Sequence, residues 1–282
     1  MIKVLIPTDF SKPSKAAISY ALKLAQSMDA ELTLFHAIDA PSHSSTLMRD
    51  IDDIISKDAK EDFENFYLQV KDELDIKNEM SREMSVGKPH DAINEYCDEN
   101  NMDIIVMGNT GEGAMHKLFM GSNTQRVIEE SSIPVIAVPH NSPVNDIKEI
   151  VYATDMQDTS DELQKLVNFA RYLNANISVL HIYKNESDVN KYENAIIEAE
   201  LKQKHDYEKI HFHTEVNSDI EDGIAHYVIA KRADLLAMFA KKRSFFERLF
   251  EKSFTQNIAD ENDLPLFIYK KDGSNNDSAS SS

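Results

Sequence analysis

The segment from Gly108 to Asn123 gathers four of the chain's seven glycines: Gly108, Gly111, Gly113 and Gly121. Glycine tolerates positive φ and lets backbone approach a ligand closely. Gly121-Ser122 also stands at the predicted start of a helix, whose free N–H groups attract anions. These are the ingredients of a phosphate cradle. A long glycine-containing loop ending in an ordinary Ser cap would use the same residues, and capping preference alone favours that alternative. Neither Gly-Lys-Ser/Thr nor a G-x-G-x-x-G after the first strand is present. Other polar candidates carry less. His36 has a twin in His181, and paired rings at strand ends are more often structural than catalytic. His116 and Lys117 could approach a phosphate but read as solvated loop. His205, His211 and His213 sit among Glu and Lys with no Cys nearby, so a surface cluster is expected and no metal site.

The elements that would position this loop follow from periodicity. Strands are predicted at 2–7, 32–38, 80–86, 103–107 and 134–138, and helices at 14–28, 48–74, 90–99 and 122–130. The runs at 103–107 and 134–138 are the most apolar. Strand alternating with helix, with buried apolar strands, indicates a parallel sheet covered on both faces. Such sheets take ligands at the carboxyl ends of their strands.

Much of this pattern occurs twice. Lys3-Val4-Leu5-Ile6-Pro7-Thr8-Asp9 returns as Glu149-Ile150-Val151-Tyr152-Ala153-Thr154-Asp155, an offset of 155 − 9 = 146. Ala30 to His36 returns as Ala175 to His181 at 181 − 36 = 145, and Met102 to Met107 as Ala233 to Met238 at 238 − 107 = 131. Three matches in one order indicate duplication. Domains are expected at 1–142 and 146–271, joined near Asn141-Ser142-Pro143-Val144-Asn145, with 272–282 a disordered polar tail.

Composition narrows the function. The 282 residues carry 30 Lys plus Arg against 49 Asp plus Glu, a net charge of −19. Before Asp146 the count is 13 against 24, or −11, leaving 17 against 25, or −8. General nucleic-acid binding is disfavoured, since it needs clustered cations. The lone Cys97 cannot form an intramolecular disulfide. No apolar run approaches the roughly 20 residues that cross a bilayer. A soluble cytoplasmic protein is expected, with no membrane association.

The glycine spacing, with its flanking strands, resembles the universal stress protein family. ATP-binding members carry G-x2-G-x9-G-[ST], matched here by Gly108, Gly111, Gly121 and Ser122. A first strand ending in Asp9 with Ser11 beyond, a second ending His36-Ala37-Ile38-Asp39, and Pro134-Val135-Ile136-Ala137-Val138-Pro139 extend the resemblance across the first domain. The repeat carries it into most of the second. The resemblance implies two tandem Rossmann-like α/β domains, each a five-stranded parallel sheet with helices on both faces. It places adenine and ribose near Pro7, Thr8, Asp9, Ala37 and Met107. The phosphates would lie over the backbone of Gly108, Gly111, Gly121, Ser122 and Asn123. Asp9 could hold a ribose hydroxyl or a metal-bound water, or simply cap the first helix, and its repetition as Asp155 does not separate these.

The second domain departs from the pattern, with Phe239, Lys242 and Lys252 where Gly108, Gly111 and Gly121 stand. It is therefore expected not to bind ATP in the family manner. The stretch from Lys241 to Phe254 is cationic and aromatic, suited either to docking an anionic partner or to an amphipathic helix with a buried apolar face. The functional expectation is a stress regulator binding ATP or a related adenine nucleotide, with Mg2+ a candidate companion, through the first domain. Slow hydrolysis is the enzymatic alternative, with only Asp9, Glu112 and Lys117 available to assist. A scaffold that binds no nucleotide is the third reading. A protein partner is expected without being identified. The resemblance implies that domains can pair through their last strands, which makes residues 134–138 and 264–269 candidates for pairing within the chain as a pseudo-dimer, and a homodimer is also open.

Overall fold

The computed structural model describes residues 1–39, 48–77, 80–109, 120–156, 159–188, 193–240 and 264–270. The first half runs β1 (Ile2–Pro7), α1 (Lys12–Met28), β2 (Ala30–Ile38), α2 (Met48–Glu73), β3 (Ser81–Val86), α3 (Pro89–Asn100), β4 (Ile104–Gly108), α4 (Ser122–Glu130) and β5 (Val135–Val138). The second runs β6 (Glu149–Ala153), α5 (Thr159–Leu173), β7 (Asn176–Tyr183), α6 (Glu193–His205), β8 (Ile210–Val216), α7 (Ile220–Lys231), β9 (Leu235–Ala240) and β10 (Leu266–Lys270). The cationic stretch 241–254 and the tail 272–282 lie outside the described residues.

Each half is a five-stranded parallel sheet, but the two are not separate. They join edge to edge in one ten-stranded sheet, ordered β3-β2-β1-β4-β5-β10-β9-β6-β7-β8. The seam is antiparallel, with Leu266 opposite Ala137 and Ile268 opposite Val135. Edge strands left unpaired would expose rows of backbone donors and acceptors, and here each half satisfies the other.

Register repeats with the sequence. Val4 pairs Ile104 and Ile150 pairs Leu235, which reproduces the offsets 150 − 4 = 146 and 235 − 104 = 131. The backbone repeats too. All eight described non-glycine residues at positive φ fall into pairs: Phe10 with Met156, Asp29 with Asn174, Asp75 with Asp206, and Asn101 with Arg232. Such conformations cost free energy at non-glycine residues, so their recurrence reflects one inherited chain path.

Two apolar layers cover the sheet. Val4, Ile6, Leu34 and Val106 face α1 and α2, in one cluster with Tyr152, Val179, Ala237 and Phe267 of the second half. Leu5, Phe35, Ile105 and Met107 face the other way, with Val151, Leu180, Leu236 and Ile268. Alternation along each strand sends successive side chains to opposite layers. Both clusters cross the seam, so the halves share a continuous core. Among the described residues, no helix is long and apolar enough to cross a membrane.

Candidate functional site

The end of β1 is built by short-range polar contacts. Thr8 N–H donates to the Phe35 carbonyl at 2.8 Å, and Thr8 Oγ1 donates to Ser14 Oγ at 3.0 Å. Phe10, at φ 65°, donates its N–H to Thr8 Oγ1 at 3.0 Å. The Asp9 carboxylate accepts from Ser11 N–H at 3.1 Å while Ser11 caps α1 by accepting from Ser14 N–H. Asp9 thus does turn-forming work and lines the candidate hollow as well. His36 Nδ1 lies 2.8 Å from the Thr8 carbonyl, and its ring stacks on Phe10 with centroids 4.3 Å apart. A carbonyl only accepts, so Nδ1 carries the proton of this bond. His181 repeats the contact with the Thr154 carbonyl at 2.9 Å.

The end of β4 departs from the expectation of a conformationally special glycine. A Cβ on Gly108 would stand 2.8 Å from the Pro13 carbonyl carbon and 2.9 Å from its oxygen and Cβ. This glycine admits the start of α1 against the sheet, a packing role that does not require a ligand. Gly121 has φ −62° and ψ 147°, which any residue adopts. Its N–H donates to the Asn109 carbonyl at 2.7 Å, and the Thr124 hydroxyl donates to the Gly108 carbonyl at 2.9 Å. Gly121 is the N-cap of α4, and among the described residues no side chain caps that helix. The first-turn N–H groups, at Ser122, Asn123 and Thr124, have no acceptor within the helix.

These ends enclose a hollow of about 370 Å3 lined by Pro7, Thr8, Asp9, Ala37, Met107, Gly108, Gly121, Ser122 and Asn123. Nucleotide-sized ligand sites fall in this range. Gly111 lies outside the described residues, as do Gly113, His116 and Lys117. The sequence reading did not place Ser14, Phe35, Pro89, Ile93 and Thr124, which also line it, and set aside His36, which lines it too. Their signal was weak because α3 reaches the hollow only through tertiary packing. A wider hollow of about 990 Å3 lies at the opposite ends of the strands, beside Asp29, Leu74 and Asn100. It gathers the C-terminal ends of α1, α2 and α3, whose dipoles disfavour anions.

The second half changes the corresponding space in two places. Phe239 stands where Gly108 does, with its ring centroid 5.3 Å from that of Tyr152 and 5.7 Å from that of Tyr269. Ile182 replaces Ala37 and is 7% exposed. Its methyl carbons lie 3.2 Å from where a Cβ on Gly223 would stand, and Gly223 replaces Ala92 of the first half. Bulk has moved from helix to strand end, against the helix position that Ala92 occupies in the first half.

The histidine reading needs correction. His205 is not on the surface: it is 3% exposed, with Nδ1 2.9 Å from Gln164 Oε1. His213 Nε2 is buried as well, with no hydrogen-bond partner. Burial lowers the pKa of both rings. Among the described residues, His90, Asp91 and Glu130 bring ligand atoms within 4.8 Å of one another. Arg126 Nη1 lies 3.3 Å from His90 Nε2, placing a fixed cation where a metal ion would bind.

The chain matches the model of the universal stress protein family twice, over residues 1–139 and 146–270. A universal stress protein of Methanocaldococcus jannaschii is 31% identical over 139 residues, spanning 48% of this chain and 81% of that protein. A second from the same organism is 29% identical over 157 residues, spanning 48% and 93%. The crystal structure of a universal stress protein from Archaeoglobus fulgidus has a TM-score of 0.71 at 19% identity, covering 95% of this chain and 98% of its own, a likeness of fold. The chain belongs to the universal stress protein family and carries that family's domain twice.

Proposed function

We propose that the first half binds ATP or a related adenine nucleotide and that the protein is a nucleotide-responsive regulator of the stress response, acting in the cytoplasm. The observation that carries this reading is the uncapped start of α4 facing the same hollow as the ends of β1, β2 and β4. The N–H groups of residues 122–124 and the Ser122 and Asn123 side chains supply donors for phosphate. Pro7, Ala37 and Met107 supply an apolar wall for a planar base. Asp9 is the one carboxylate among the described lining residues, so Mg2+ would be held mainly by the nucleotide's own phosphates. The second half is expected to stay empty because Phe239, Lys242 and Lys252 stand at the positions of Gly108, Gly111 and Gly121.

Hydrolysis would need an oriented water and charge neutralisation beyond phosphate binding. Among the described lining residues Asp9 is the only acid or base besides the carbonyl-bound His36, and Glu112 and Lys117 lie outside the described residues. Binding without useful turnover is therefore the preferred reading. The purified protein, denatured and assayed by mass spectrometry, should release an adenine nucleotide. Phosphate release should equal the no-enzyme rate, with Asp9→Ala making no difference. Release of no nucleotide, together with no ATP affinity, would refute the binding proposal and leave the scaffold reading.

A further inference from the structure

Helix α4 begins at the candidate phosphate site and runs out over the seam. Its buried residues are Thr124, Val127 and Ile128, and it packs against β10 of the second half as well as α3 and β5. Val127 and Ile128 belong to one apolar cluster with Leu264, Leu266 and Ile268, all of them 9% exposed or less. At its other end α4 is held by the Gly121 and Thr124 hydrogen bonds and by no side-chain cap. Its placement over the first-half site thus depends on apolar residues contributed by the second half.

We propose that β10 is a positioning element of the first-half site, with Leu266 and Ile268 holding α4 so that its first-turn N–H groups stay aimed into the hollow. This rests on the nucleotide reading above and gives the second half, which lacks the motif glycines, a part in binding. The attraction of a helix start for an anion falls off within the first turn, so a small displacement of α4 is enough to weaken it. Base and ribose would rest on the ends of β1, β2 and β4, which α4 does not carry. Loosening α4 should therefore act on phosphate and spare the nucleoside.

The test uses the full chain. Leu266→Ala removes an apolar side chain from the α4 side of the seam. Leu163→Ala, fully buried on α5 in the opposite layer, is the control for general loosening of the second half. In Leu266→Ala, amide hydrogen exchange over residues 121–130 should rise without ligand. Its ATP affinity should fall about fivefold, the scale of a helix-terminus contact, while adenosine affinity stays at the wild-type value. Leu163→Ala should change neither. Should the alanine variant fail to fold, Leu266→Val carries the same test with the same signs. Wild-type exchange and ATP affinity in the Leu266 variant would overturn the proposal, as would equal losses for ATP and adenosine or the same losses in Leu163→Ala. If wild type binds no ATP, the nucleotide reading falls and the positioning role with it. Intact ATP binding in an unaffected Leu266 variant overturns the positioning role alone.

Discussion

Gly108→Ala should destabilise the first half even with no ligand present. The added methyl would stand 2.8 and 2.9 Å from the carbonyl carbon and oxygen of Pro13, and backbone at the start of a helix cannot swing aside. Overpacking of this kind costs about 1–3 kcal/mol. A cost of about 2 kcal/mol multiplies the opened population roughly 30-fold. The chain supplies its own reporter, because Cys97 is its single cysteine. It lies in α3 of the first half, 3% exposed. Burial, helped by the charge of Asp98, pushes its thiol up to about 12. At pH 8 a thiol reagent therefore reacts through opening of the first half, and its rate tracks the opened population when reclosing is fast. Gly108→Ala should label about 30-fold faster than wild type at equal reagent. Gly121→Ala, at an ordinary φ of −62°, should stay within about threefold. A folded Gly108→Ala protein labelling at the wild-type rate would refute the packing role assigned to this glycine.

His205 and His213 have folded pKa values held below the usual histidine value by burial, and each keeps a buried Nε2 with no hydrogen-bond partner among the described residues. The unfolded rings take up protons as pH falls through about 6.5 while the folded rings resist, so their stability contribution is present above that pH and lost below it. The urea midpoint of the second half should drop from pH 7.5 to 5.5, and the double variant His205→Gln, His213→Gln should flatten that slope. Ile182→Ala should cost about 2–5 kcal/mol, as for other buried truncations, measured as a lower urea midpoint; a change below 0.5 kcal/mol would mean that Ile182 does not fill the space described. Lys23 and Asp146 pair at 2.7 Å where α1 meets the connection between halves, with side chains 33% and 58% exposed. Asp146→Asn should leave the urea midpoint close to the wild-type value, and the difference should shrink further in 0.5 M salt, since an exposed pair is screened.

Much of the fold was legible because its strands are short apolar runs and its helices amphipathic. The boundaries that slipped have local causes. α1 starts at Lys12 because Ser11 caps it and Pro13 suits a first turn, a signal lying just ahead of the apolar pattern. β3 read weakly because its sequence Ser81-Arg82-Glu83 is exposed at the edge of the sheet. Pairing of the two last strands was expected from the family resemblance, but their merger into one sheet with shared apolar layers was not, since it depends on which side chains meet across the seam. In the hollow, the glycine spacing announced Gly121 and the family resemblance Thr8 and Asp9, whereas Pro89 and Ile93 arrive on a separate helix. The packing role of Gly108 was hidden for the same reason. Its neighbour Pro13 is 95 positions away in sequence and within contact distance in space. The buried His205 was hidden by the charged residues around it, which point outward from α6.

The count of nucleotides bound per chain tests the central claim most directly. Equilibrium titration of nucleotide-stripped protein with ATP should saturate at about one per chain, because a helix start and an open strand end coincide in the first half, whereas Phe239, Lys242 and Lys252 replace the three motif glycines in the second. Gly121→Lys, which the backbone at this position accommodates, should abolish that site while leaving the fold intact. Saturation at zero or two, or undiminished binding in a folded Gly121→Lys variant, would contradict the account.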